Sequence, residues 1–348
     1  ALARNGFLVT HGHTLETLTQ LSHVVFDKTG TLTTGKFQLL NTNLLSAMTC
    51  EQVFTIAKAL EMHSEHPIAK IFTDLPADHG QLKLSEVKVF PGCGVEGKIA
   101  GQRYRIGKAD FVSANDFFIN KDQAVKGCEQ AKVFLANQKQ LLAGFEIADT
   151  LRPDAYETIQ SLKQRGIHTQ LISGDPHASA LTLGNELGMD KATNNVLPAE
   201  KVALIKRLQQ EGAVVAMVGD GINDAPSLKA AQVSVAMGAL GEGADLAKTS
   251  ADAVIMNRHL SLLLVAIDHA AKSKSIIRQN YSWAIIYNLS VLPLAAAGFV
   301  APYWSAIGMS LSSLFVVLNS IRLIRLNTSV RALPANSESP LTTVVQAI

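Results

Sequence analysis

Three short acidic stretches have the residue types and spacing for phosphoryl chemistry. The first, Asp27-Lys28-Thr29-Gly30-Thr31-Leu32-Thr33, sets a carboxylate at the end of an apolar run and follows it with a glycine turn rich in hydroxyls. A carboxylate so placed can attack a phosphoryl group, and the N–H groups and hydroxyls of the turn can cradle its oxygens. The second, Gly219-Asp220-Gly221-Ile222-Asn223-Asp224-Ala225-Pro226, closes the apolar run Ala213–Val218. Asp220 and Asp27 together supply hard oxygen ligands of the kind that suit Mg2+, which keeps several waters and contacts substrate phosphate. An EF-hand is excluded, because the Asp spacing and the closing loop position do not fit. The third, Ser173-Gly174-Asp175, ends a run that begins at Thr169.

The elements that must position these acids follow from periodicity. From Asp149 onward, strand-like runs alternate with helix-like segments such as Ala155, Ile159 and Leu162 on one face and Val202, Ile205 and Leu208 on another. Repeated strand–helix units require parallel pairing and place ligands at the carboxyl ends of the strands. The stretch 37–148 has a different texture. A helix around Gln52–Met62 is followed by alternating runs with turns at Ala100-Gly101 and Asn137–Gln140, the pattern of an α+β insert. The expected organisation is therefore residues 1–36 and 149–265 as one α/β domain split by the insert.

From Gln279 to Ile321 no side chain is charged, and basic residues flank the run: Lys272, Lys274 and Arg278 before it, Arg322 and Arg325 after it. A span needs about 20 apolar residues, so 279–323 is expected to form a two-helix transmembrane hairpin with a turn near Ala301-Pro302 and both ends cytoplasmic. Residues 324–348 read as a flexible tail. A net charge of +2 gives no support for nucleic-acid binding, and three scattered cysteines argue against a disulfide scaffold or zinc ribbon. The chain opens at Ala1 and is read as a fragment of a longer protein.

The heptapeptide at Asp27 resembles the phosphorylation signature of P-type ATPases within the haloacid dehalogenase superfamily, and the resemblance extends over essentially the whole chain. It implies a haloacid-dehalogenase-like parallel-sheet phosphorylation domain, an inserted nucleotide-binding domain and the C-terminal hairpin. Asp27 would be the residue phosphorylated by ATP. Asp27, Thr29 and Asp220 would hold Mg2+, with Asp224 supporting the site. Ser173-Gly174-Asp175 stands where the family has Thr-Gly-Asp, and Lys201 resembles its phosphate-site lysine. Asp149-x-x-Arg152 resembles the hinge between domains. Soluble phosphatases of the superfamily carry a second Asp two positions after the nucleophile, where this chain has Thr29. Without that acid/base the phosphoenzyme should persist longer, by a factor of about 10²–10⁴. That suits a pump, which must change shape before hydrolysis.

Within the insert, Ser64-Glu65-His66-Pro67 resembles a signature of the heavy-metal branch, with Glu65 and His66 toward the adenine end of ATP. Gly92-Cys93-Gly94 and Gly107 match further nucleotide positions, whereas Lys108 replaces an expected Asn. In the hairpin, Tyr287-Asn288 and Met309-x-x-x-Ser313 resemble the transport-site pairs of copper-selective members. A thioether is a soft ligand suited to Cu(I), and the carboxylate of zinc-type members is absent from this hairpin. The family's Cys-Pro-Cys helix and actuator domain are expected upstream of Ala1. The implied protein is a Cu(+)-exporting ATPase integral to a bacterial cell membrane, with lipid and a metallochaperone as partners. The rival readings are a zinc or other divalent-metal ATPase, a soluble phosphatase of the superfamily, and an idle nucleotide-binding regulator. His11 and His13 match nothing in the family and read as surface residues.

Overall fold

The computed structural model describes residues 2–75, 82–114, 117, 128, 131–175, 179–220, 224–238, 251–299 and 301–323. They form two compact units, Ala1–Thr33 with Leu151–Ile348, and Thr34–Thr150. In chain order the strands are β1 (Phe7–Val9), β2 (His23–Asp27), β3 (Thr33–Leu44), β4 (Leu84–Phe90), β5 (Gly94–Ile99), β6 (Gln102–Gly107) and β7 (Val133–Asn137). They continue with β8 (Leu141–Leu151), β9 (His168–Ile172), β10 (Lys191–Thr193), β11 (Val215–Gly219), β12 (Val233–Met237) and β13 (Ala253–Ile255).

The first unit holds a seven-stranded sheet in the order β1-β13-β12-β11-β2-β9-β10, parallel except for β1. β2 lies at its centre. Alternation along β2 sends Val24 and Phe26 into one core and Val25 into another. The first core packs Ile159 and Leu162 of the helix Ala155–Gln164; the second packs Ile205 of Pro198–Gln210 and Leu228 of Ala225–Ala230. A sheet covered on both faces explains why its strands are almost wholly apolar.

The second unit is a six-stranded sheet, β3-β8-β7-β6-β5-β4, antiparallel from β8 to β4. The helix Cys50–Glu61 packs Val53, Ile56 and Leu60 against Val95, Ile106 and Leu135. Its start is set by a capping box: Thr49 Oγ1 accepts Gln52 N at 3.3 Å, and Thr49 N donates to Gln52 Oε1 at 3.0 Å.

The C-terminal hairpin is present as the helices Leu262–Ala296 and Pro302–Ile321. The first runs through Pro293 and roots Leu262, Leu263, Ala266 and Ala270 in the first core. Among the described residues no helix is long and apolar enough to cross a membrane, so the expected transmembrane spans are not shown. The first helix spends its opening turns on Asp268, Lys272, Lys274 and Arg278, and its remainder carries Gln279, Asn280, Asn288 and Ser290. The second includes Gly308, five serines and Asn319 within its 20 residues. Polar side chains join the pair, with Asn280 Nδ2 donating to Ser320 Oγ at 3.1 Å and Trp283 Nε1 to Ser312 Oγ at 3.1 Å.

Candidate active site

β2 delivers Asp27 between the ends of β11 and β9, in register with Ile172. The chain then turns sharply. Thr29 N donates to Asp27 Oδ2 at 3.0 Å, and Thr33 Oγ1 accepts Gly30 N at 3.2 Å while donating to Lys28 O at 3.0 Å. Gly30 has φ +73°, and a Cβ there would stand 3.3 Å from Asp220 Cβ. Glycine is therefore required by the backbone and by the close approach of Asp220. The buried Arg152 guanidinium holds the turn from behind, donating to Thr31 O at 2.6 Å, Gly30 O at 2.7 Å and Arg258 O at 2.8 Å.

Lys201 lies in the first turn of Pro198–Gln210, where Pro198 and the Glu200 carboxylate, accepting Leu197 N at 2.8 Å, set the helix start. Its Nζ donates to Asp27 Oδ1 at 2.6 Å and to Asp224 Oδ1 at 2.7 Å. All three are nearly sealed from solvent. Burial pushes the Asp27 carboxyl up to about 6, the Asp224 carboxylate adds to the rise, and Lys201 opposes it. Burial alone would lower Lys201, but the Asp27 and Asp224 carboxylates together raise it above its ordinary value. One ammonium thus bridges Asp27 and Asp224, and the Asp220 carboxylate is near enough to add to the rise of Asp27. Among the described residues no group of three or more His, Cys, Asp or Glu side chains is gathered that could hold a metal ion.

Lys28 points elsewhere. Its Nζ donates to Asp175 Oδ2 at 2.9 Å and to Ser179 Oγ at 2.7 Å, and Asp175 N donates to Ser173 Oγ at 3.1 Å. The structure therefore brings Asp27, Thr29, Lys201, Asp220 and Asp224 together, with Ser173 and Asp175 grouped around Lys28 on the neighbouring strand end. Gly221, Ile222 and Asn223 of the second motif lie outside the described residues.

In the second unit Glu65 and His66 are exposed. Ile68 N donates to His66 Nδ1 at 3.2 Å. Gly94 and Gly107 face each other across β5 and β6, and their absent side chains serve the strands. A Cβ on Gly94 would stand 2.8 Å from Gly107 Cα and collide with Ile106 O; one on Gly107 would stand 2.7 Å from Gly94 Cα. Gly92 has φ +73° and open space around it. Lys108 N donates to Cys93 O at 3.0 Å, tying the two glycine segments together.

Sequence reasoning passed over Glu61, which burial pushes up to about 7, with a hydrogen bond to Ser64 opposing the rise. The available signal was an acid on the Val53–Ala57–Glu61 stripe of an amphipathic helix. Tyr287 packs on the second helix so closely that a Cβ on Gly308 would lie 2.6 Å from its hydroxyl, whereas Asn288, Met309 and Ser313 are exposed.

Residues 21–232 match the family of haloacid dehalogenase-like hydrolases, and the chain belongs to that family. It is 38% identical over 332 residues to a probable copper-transporting ATPase, SynA, of Synechococcus, covering 92% of this chain and 41% of the relative. It is 35% identical over 331 residues to a probable copper-importing P-type ATPase A of Enterococcus hirae, covering 93% and 44%. The chain thus spans about two fifths of the length of these relatives. Among solved structures it resembles a zinc-transporting PIB-type ATPase in the E2.Pi state, with TM-score 0.79 and 30% identity over 93% of this chain and 53% of that one. It also resembles the catalytic domain of the CPx-ATPase CopB-B, with TM-score 0.62 and 28% identity over 76% and 97%. The relatives of this chain within its family are heavy-metal P-type ATPases.

Proposed function

We propose that this chain is the catalytic part of an ATP-driven heavy-metal transporter that works through an aspartyl-phosphate on Asp27, and that the ion is Cu(I). The observation that carries the reading is the Lys201 ammonium bridging Asp27 and Asp224 at 2.6 and 2.7 Å beside the Thr29–Gly30 turn. A carboxylate oxygen of Asp27 attacks the γ-phosphorus of ATP; the new bond joins Asp27 to phosphorus, and the bond that breaks releases ADP. Lys201 offsets the charge that develops on the transferred group, and the Thr29 and Gly30 N–H groups lie in the turn that receives its oxygens. Asp27, Thr29 and Asp220 would hold Mg2+, with Asp224 supporting the site, and the ion would supply charge neutralisation on the phosphates when bound. In the second unit, Glu65 and His66, together with Gly92, Gly94 and Gly107, form the nucleotide-binding segments, and the buried Glu61 bonds Ser64, the residue before Glu65.

The helix pair is the part that meets the bilayer, within a larger membrane assembly. Its support is the exposure of large apolar side chains, Leu289 at 71%, Leu292 at 72% and Phe299 at 80%. Tyr287, Asn288, Met309 and Ser313 are the residues of this chain offered to the ion. The soft Met309 thioether, exposed for coordination, favours copper over zinc. Lipid and a metal-delivering protein are the partners this reading implies. The test is acid-stable labelling of the intact protein from γ-labelled ATP, with Cu(I) under reducing conditions set against Zn(II). Labelling raised by Cu(I) alone and lost in Asp27→Asn is expected. Labelling raised by Zn(II) would keep the mechanism and overturn the ion, and no labelling with either metal would overturn both.

A further inference from the structure

Lys28 follows the residue proposed as nucleophile, yet its ammonium does not serve it. Asp27 and Lys28 are neighbours at the end of β2, and a lysine side chain there is long enough to swing onto the Asp27 carboxylate. Such a swing would put a second cation on a carboxylate that must keep a lone pair for attack. Three hydrogen bonds direct the ammonium away instead. Lys28 Nζ donates to Asp175 Oδ2 at 2.9 Å and to Ser179 Oγ at 2.7 Å, and Ser179 Oγ donates to the same Asp175 oxygen at 2.7 Å. Ser179 is the only one of the three without a charge, and it touches both of the others. It opens the helix Ser179–Glu186, which packs Ala180 in the first core, so its hydroxyl is delivered from a fixed element. Lys28 itself is 8% exposed, which leaves its ammonium few alternatives to the carboxylates at the strand ends.

We infer that Ser179 is a positioning residue for phosphoryl transfer: by bonding Asp175 and Lys28 at once, it holds the Lys28 ammonium off the Asp27 carboxylate. The hydroxyl acts on the availability of the nucleophile and touches neither nucleotide nor metal. Its loss should therefore slow the chemical step and leave nucleotide binding alone. The inference rests on the proposed phosphorylation of Asp27.

The test compares Ser179→Ala and Ser179→Thr with the parent in the intact protein, reading the rate of acid-stable labelling at saturating ATP and the ATP concentration giving half that rate. Ser179→Ala should lower the saturated rate by about tenfold, the scale of one hydrogen bond to a charged group, and change the half-saturating concentration less than twofold. Ser179→Thr, which keeps the hydroxyl, should restore the rate; a purely structural loss in Ser179→Ala would lower the melting temperature and spread to both parameters. An unchanged rate, an effect on half-saturation alone, or failure of Thr to rescue would overturn the inference. Absence of labelling in the parent itself would instead overturn the proposed function.

Discussion

The Lys201 ammonium stands 2.6 Å from Asp27 Oδ1 and 2.7 Å from Asp224 Oδ1, so a single cation ties the strand end of β2 to the helix Ala225–Ala230. Removing it leaves two buried carboxylates facing each other and takes away the charge placed to meet the transferred phosphoryl group. Lys201→Met should lower the rate of phosphoenzyme formation by about 10²–10³, the scale seen when a preorganised donor is lost. Rapid-quench labelling from ATP measures this directly. A loss below threefold would mean that Lys201 has only a structural part.

Asp27 must be ionised to attack, and burial holds its carboxyl near 6. The rate of phosphoenzyme formation should therefore fall as pH drops through about 6, losing a further factor of about ten per pH unit below it. Lys201 opposes the rise of Asp27, so in Lys201→Met the acid limb should move to higher pH. Initial labelling rates at saturating ATP between pH 5 and pH 8 test both statements. An acid limb that stays in place in the variant would separate Lys201 from the ionisation of Asp27.

The strand carrying Asp27 was legible because Val24, Val25 and Phe26 are an unbroken apolar run ending on an acid, and such a run needs a sheet covered on both sides. The second and third acids were legible for the same reason. What could not be read were contacts fixed only by tertiary packing. Arg152 reaches carbonyls of Gly30, Thr31 and Arg258, and carbonyl acceptors leave no mark on a sequence. Lys28 turns to Asp175 and Ser179 because β2 and β9 are neighbours in the sheet, a fact of strand order. That Gly94 and Gly107 stand opposite each other could not be read either, since register across a hairpin is set by the fold of β5 onto β6. In the hairpin, absence of charge marked the extent of the two helices, whereas the polar side chains that join them, Asn280 to Ser320 and Trp283 to Ser312, depend on how the helices pack.

Glu61 gives a stability prediction with a definite sign. Burial raises its carboxyl from an ordinary 4.5 to about 7, so between these pH values the folded chain holds a proton that the unfolded chain has released. Stability of the second unit should therefore be fullest below about pH 4.5 as far as this group is concerned, and fall as pH rises toward 7, by on the order of 3 kcal/mol. Glu61→Gln keeps the shape and removes the titration. Its melting temperature should exceed that of the parent at pH 8 and match it near pH 5. Parallel pH profiles for the two proteins would show that Glu61 finds a compensating partner when ionised.

Gly92, Gly94 and Gly107 of the second unit should separate cleanly on substitution. Gly94 and Gly107 lie opposite each other, and the Cβ of either would press on the other's α-carbon at 2.7–2.8 Å as well as striking a backbone carbonyl. Neither neighbour is a flexible side-chain end, so the strands themselves must part and the β5–β6 ladder must open. Gly94→Ala or Gly107→Ala should each cost about 2–4 kcal/mol, in the range of severe backbone and overpacking changes. Gly92 meets nothing within 4 Å and has only its φ of +73° against it. Gly92→Ala should cost about 1 kcal/mol, the penalty of placing an L side chain in the left-handed region. Denaturant midpoints for the three variants at constant m-value give the ranking. Equal losses at all three positions would mean that backbone conformation, and not the close packing of β5 on β6, sets the need for glycine.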